Sequence, residues 1–170
     1  MLRCLQTTDP IYQKLSKKPR VIVEPTLRER VTSSCDLPVD TLPLKEKFQY
    51  MDFSFLERSK AQGFWIKEEL EKNDEENSKR WLAEIENTLK LNELMKKIHP
   101  ETIESQKALN DRTQNFRKQL LEDRGFADKK ILIVSHSAFL ESFTATKYWK
   151  DDTPLDGNYL KNAEFAEVTL

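Results

Sequence analysis

Glycine is scarce: only Gly63, Gly125 and Gly157 occur in 170 residues. No two lie close enough to build a backbone cradle, so the chain has no phosphate-binding glycine loop, no dinucleotide fingerprint and no Gly-x-Ser-x-Gly elbow. The two cysteines, Cys4 and Cys35, lack the paired spacing of a zinc site or a redox dithiol, and read as free thiols. With no cluster of ligand-type side chains, neither a metal nor a cofactor is expected. Long apolar runs are missing as well. Nothing approaches the roughly 18 residues needed to span a bilayer, and Met1 to Pro10 holds no signal-peptide core, so the expectation is a cytoplasmic protein away from membranes. An excess of charge of one sign is also absent. Lys and Arg total 28 against 29 Asp and Glu, net −1, with no basic stripe interleaved with aromatics, which argues against nucleic acid as a partner.

What is there suits one domain over residues 1–170, with enough chain to bury a core. Hydrophobic residues make up 38% and charged residues 34%, a balance that favours long solvated helices. Leu5, Thr8, Tyr12 and Leu15 follow a helical spacing, so Leu2 to Leu15 reads as a short amphipathic helix despite Pro10. After Lys17-Lys18-Pro19, Arg20 to Glu24 reads as a strand stopped by Pro25. Thr32 to Lys47 turns to Ser, Asp, Pro and Thr and reads as a loop. The aromatics from Phe48 to Trp65 form either a lid or a satellite hydrophobic cluster, the latter favoured, so residues 32–65 read as an insertion.

Two charged helices are expected over residues 77–124. The first carries Leu82, Ile85, Leu89, Met95 and Ile98 inward; the second starts near Pro100 and turns Ile103, Leu109, Phe116 and Leu120 inward, with Gly125 as a left-handed C-cap. Ile131-Leu132-Ile133-Val134-Ser135-His136-Ser137 then reads as a strand buried on both faces and ending on a histidine. The competing reading is a strand followed by an ordinary loop histidine. Ala138 to Trp149 reads as a helix with Phe139, Phe143 and Thr146 on one side, Gly157-Asn158 as a turn, and Glu164 to Leu170 as a half-exposed strand. Strands separated by helices imply a three-layer α/β/α sandwich with a mainly parallel sheet, although three strands are few for one.

Only two histidines, His99 and His136, are available for chemistry. His99, before Pro100, reads as a capping or solvated residue. His136 stands where a strand would meet a helix, and the first N–H groups of that helix make a ready anion site beside its imidazole.

Taken in order, several segments resemble one family. Arg3-Cys4-Leu5-Gln6-Thr7-Thr8, Leu27-Arg28-Glu29-Arg30 after a proline, Val134-Ser135-His136-Ser137, and Asn162-Ala163-Glu164 resemble successive motifs of the histidine phosphatase superfamily, the phosphoglycerate-mutase-like enzymes. The resemblance implies a phosphate pocket in which Arg3, His136 and Ser137 bind phosphoryl oxygens and Glu29 donates a proton to the leaving oxygen. It implies a phosphorylated small molecule or a phosphoprotein as the partner. From the residues alone, a surface ion pair of Glu29 with Arg28 or Arg30 is the competing reading.

The family's nucleophile is a histidine in an Arg-His-Gly motif at the end of its first strand, and no Arg-His-Gly occurs here. The sheet is therefore expected to be incomplete at its N-terminal side, with an exposed apolar edge. Three explanations stand: a truncated phosphatase without its covalent step, a pseudophosphatase that binds phosphorylated ligands, or a protein-interaction module built on the charged helices. The first ranks highest, because the absence is one contiguous block.

Overall fold

The computed structural model describes residues 2–30, 42–58, 104–123, 125–126 and 129–169. They divide into two compact units, one holding the described residues up to Pro25 and 42–58, the other Thr26–Arg30 and the described residues from Glu104 onward.

In the first unit α1 runs Leu2–Lys14, close to the expected span, and Leu5 is its buried residue. Lys18 caps its end, its Nζ donating to the carbonyls of Tyr12 (2.7 Å), which also takes the Leu15 N–H at 3.2 Å, and Gln13 (2.9 Å). The expected strand at Arg20 to Glu24 forms as a shorter β1, Val21–Ile22, paired in parallel with β2, Met51–Asp52, with Val21 opposite Met51. Leu42–Lys47 is a helix, α2, which corrects the loop expected to run through Lys47. Pro43 falls in its first turn, where a missing N–H costs no helical bond. A short α3, Ser54–Arg58, follows β2.

The core of this unit is Leu5, Val23, Leu44, Phe48, Met51 and Phe53. Phe48 and Phe53 are thus core residues, as the hydrophobic-cluster reading of this stretch holds. Tyr50 stacks on Tyr12, ring centroids 4.0 Å apart, and donates its hydroxyl to Asp9 at 2.9 Å. Burial, then the Asp9 carboxylate, push the Tyr50 phenol up to about 12.

The second unit is built on two helices. α4, Gln106–Glu122, opens on Ser105, whose side chain accepts from the Ala108 N–H, and closes on Asp123. Gly125 does not act as the expected left-handed C-cap: no described glycine has positive φ. Asp123 ends the helix instead, and its side chain accepts from the Gly125 N–H at 2.7 Å. α5 runs Ser137–Thr144. Leu109 of α4 packs with Phe139 and Phe143 of α5, flanked by Phe116, Leu120, Leu27 and Ile133, so these residues of the two expected apolar faces point inward, whereas Thr146 is exposed beyond the end of α5. Phe139 and Phe143 stack with centroids 5.9 Å apart, and Phe116 packs beside both, 6.5 Å from Phe139 and 6.0 Å from Phe143.

Four further expectations fail in this unit. Ile131 to His136 is not a strand: the only strands among the described residues are β1 and β2. An apolar run becomes a strand only where a neighbour supplies a hydrogen-bond ladder, and none does so among the described residues. Ile131 and Leu132 are accordingly exposed, Leu132 by 64%, while Ile133 packs on the core. Glu164 to Thr169 likewise forms no strand, with Phe165 89% exposed. The helix expected to reach Trp149 stops at Thr144, because Asp156 Oδ1 takes the N–H groups of Thr146 (2.8 Å) and Lys147 (2.9 Å). The turn expected at Gly157-Asn158 falls instead at Lys150 and Asp151, between the bridged Tyr148 and Pro154.

Cys35, residues 77–98, His99, Pro100 and Ile103 lie outside the described residues. Among the described residues no helix is long and apolar enough to cross a membrane.

Candidate functional site

His136 occupies the N-cap position of α5 in extended backbone, φ −109° and ψ 159°, and its side chain makes no capping bond. Its carbonyl accepts the first helical bond, from Leu140 N at 2.9 Å. Ser137 is the first helical residue. By helix geometry, the first-turn N–H groups leave the helix end beside the imidazole and favour negative charge there.

The acid arrives from a segment remote in sequence. Glu29 Oε2 stands 3.8 Å from His136 Nδ1, an ion-pair distance too long for a hydrogen bond, with the two side chains 20% and 8% exposed. Glu29 Oε1 accepts from the Arg30 N–H at 2.9 Å. Arg28 also reaches Glu29, its Nη1 donating to the Glu29 carbonyl at 3.2 Å. Arg28 pairs with Glu104 at 2.8 Å, and Arg30 sends Nε to the Glu104 carbonyl and Nη1 to Gln106 Oε1, both at 2.8 Å.

Chemically, a carboxyl 3.8 Å from an imidazole acts on it through charge and not through a shared proton, and a helix N-terminus can hold an anion beside them. Protonated Glu29 could donate to an anion's oxygen; ionised, it would oppose the anion and favour the imidazolium.

Glu104 and Arg112, which build this geometry, carried no sequence expectation, and Ser135 carried one only as part of the strand and motif that end on His136. Arg112 donates Nε and Nη2 to the two Glu104 oxygens at 2.8 and 2.7 Å and Nη1 to the carbonyls of Thr26 (2.6 Å) and Arg28 (3.2 Å). Ser135 Oγ donates to the Leu27 carbonyl at 2.6 Å. The available signal was Ser105 as a helix N-cap, which would have set Glu104 just outside the helix and Arg112 two turns in.

The remaining expected residues are placed separately. Arg3 is exposed on α1 in the first unit, whereas the pair described here belongs wholly to the second. Asn162-Ala163-Glu164 closes on itself as a local turn, with Ala163 at φ 63° and Lys161 N donating to Glu164 Oε2 at 2.8 Å. No group of three or more His, Cys, Asp or Glu suited to a metal occurs among the described residues. Compared with protein-family models, curated proteins and solved structures, the chain finds no match.

Proposed function

We propose that the chain is a histidine-phosphatase-like domain of the three-layer α/β type in which His136 and Ser137 bind phosphomonoesters, carried by small molecules or phosphoproteins, with Glu29 as the acid beside them. The observation that carries the reading is the approach of Glu29 to within 3.8 Å of His136 at the start of α5. These are the two residues to which the sequence resemblance assigns the acid and the second histidine. Because the 170 residues hold no Arg-His-Gly, no covalent phosphohistidine step is assigned to them, and the reading is binding without turnover.

The test pairs a binding and a turnover measurement. Orthovanadate added to the purified chain is expected to raise its melting temperature, since a ligand at about 100 Kd stabilises by about 2.7 kcal/mol, and His136→Ala should abolish the rise. An aryl phosphate is expected to show no hydrolysis above the His136→Ala control. Absence of vanadate protection, or protection untouched by His136→Ala, overturns the binding assignment. Turnover that the variant loses overturns the assignment as non-catalytic.

A further inference from the structure

Glu29 comes from the short segment Thr26–Arg30, which joins the second unit from a distant part of the chain. Three consecutive carbonyls hold that segment in place. Arg112 Nη1 takes Thr26 O at 2.6 Å and Arg28 O at 3.2 Å, and Ser135 Oγ takes Leu27 O between them at 2.6 Å. The other edge of the Arg112 guanidinium is fixed by the two oxygens of Glu104, which also hold Arg28. Its face lies over Phe139, in the first turn of α5, with Cζ 5.5 Å from the ring centroid. One side chain therefore touches both the segment that carries Glu29 and the helix that starts after His136.

We infer that Arg112, with Ser135 as a second tie, is the positioning residue of the Glu29–His136 pair. The inference rests on the proposed role of that pair, and it names the device that fixes the separation of the two groups. Only a planar fork can serve a carboxylate and two carbonyls together; a lysine ammonium keeps the charge and loses that geometry. The charged groups concerned are Glu29 on the segment, Arg28 and Arg30 beside it, Glu104 before α4, and Arg112 on α4.

The experiment follows the pH titration of the His136 imidazole by nitrogen-15 NMR in the intact chain, with His99→Gln used for assignment. No phosphate or vanadate enters, so its outcome is independent of whether the chain binds phosphate. Glu29→Gln is expected to move the His136 midpoint to lower pH, because an adjacent carboxylate favours the imidazolium. Arg112→Lys is expected to move it in the same direction, and to add nothing in the Glu29→Gln background. A direct effect of removing positive charge would move it the opposite way, and charge is conserved in this variant. An unmoved midpoint in folded Arg112→Lys overturns the inference, as does an unmoved midpoint in Glu29→Gln. Should Arg112→Lys lose its cooperative melt, Ser135→Ala removes only the tie to Leu27 O. A smaller shift in the same direction then supports the inference, and no shift overturns it.

Discussion

Replacing Glu104 by alanine should be among the most damaging single changes in the second unit. Its carboxylate is 3% exposed and accepts four charge-assisted bonds, from Arg28 Nη1 and Nη2 at 2.8 and 3.3 Å and from Arg112 Nε and Nη2 at 2.8 and 2.7 Å. The partners are only 9% and 14% exposed, so after truncation neither guanidinium reaches water without leaving the core. Stranding a buried charge in this way costs about 3–5 kcal/mol, a large share of the roughly 5–15 kcal/mol that holds a domain together. With a urea slope of about 2 kcal/mol/M, the unfolding midpoint should fall by about 1.5–2.5 M. Circular dichroism during urea unfolding is the assay, with hydrogen exchange to show that the loss falls on α4 and α5. Changing Arg28, Glu104 and Arg112 together to Met, Leu and Leu should recover most of the stability, because no charge is then left unpaired. A loss under about 1 kcal/mol for Glu104→Ala, the range of ordinary surface substitutions, would refute the reasoning. The same contacts set a pH dependence. Burial pushes the Glu104 carboxyl up, but the hydrogen bonds of Arg112 and the charges of Arg28 and Arg112 outweigh it and hold the group below its ordinary 4.5. Its contribution is complete above that value and disappears as pH falls through the lower folded value.

Two further outcomes are expected. At Gly157 an added Cβ would stand 2.2 Å from the Glu141 carbonyl oxygen, a backbone atom tied to Ala145 N at 3.1 Å, so Gly157→Ala should cost about 1–3 kcal/mol and lower Tm by about 3 °C or more. An unchanged melt would show that the contact yields. The Asp156 carboxylate is held down to about 2 by the Thr146 hydroxyl and the N–H groups of Thr146 and Lys147. Its hold on the turn after α5 is therefore complete above the ordinary 3.8 and lost as pH falls through about 2. The amide proton shifts of Thr146 and Lys147 should titrate with that midpoint, and titration near the ordinary carboxylate value would count against it.

The longer described helices α1, α4 and α5, unlike the short α2 and α3, were legible in the sequence because their information is local. The spacing of Leu109, Phe116 and Leu120 and of Phe139 and Phe143 specifies which faces turn inward, and neighbours three or four residues apart suffice to read it. The candidate site was half legible: Glu29 and His136 could be named from motif order, but the residues that hold them together could not. Arg112, Glu104 and Ser135 act on Thr26 to Arg30 across long stretches of chain, and no periodicity records such a contact. The same limit explains the apolar run from Ile131 to Val134, whose composition suits a buried strand. A strand is a property of a pair, and the sequence of one member does not supply the partner's N–H and C=O groups. The sequence by itself determined the amphipathic helices and the candidate acid and histidine. Only the tertiary structure decided that Glu29 meets His136, that Arg112 clamps the segment carrying it, and that Ile131 and Leu132 face outward, because each depends on which distant backbone groups come within hydrogen-bonding reach.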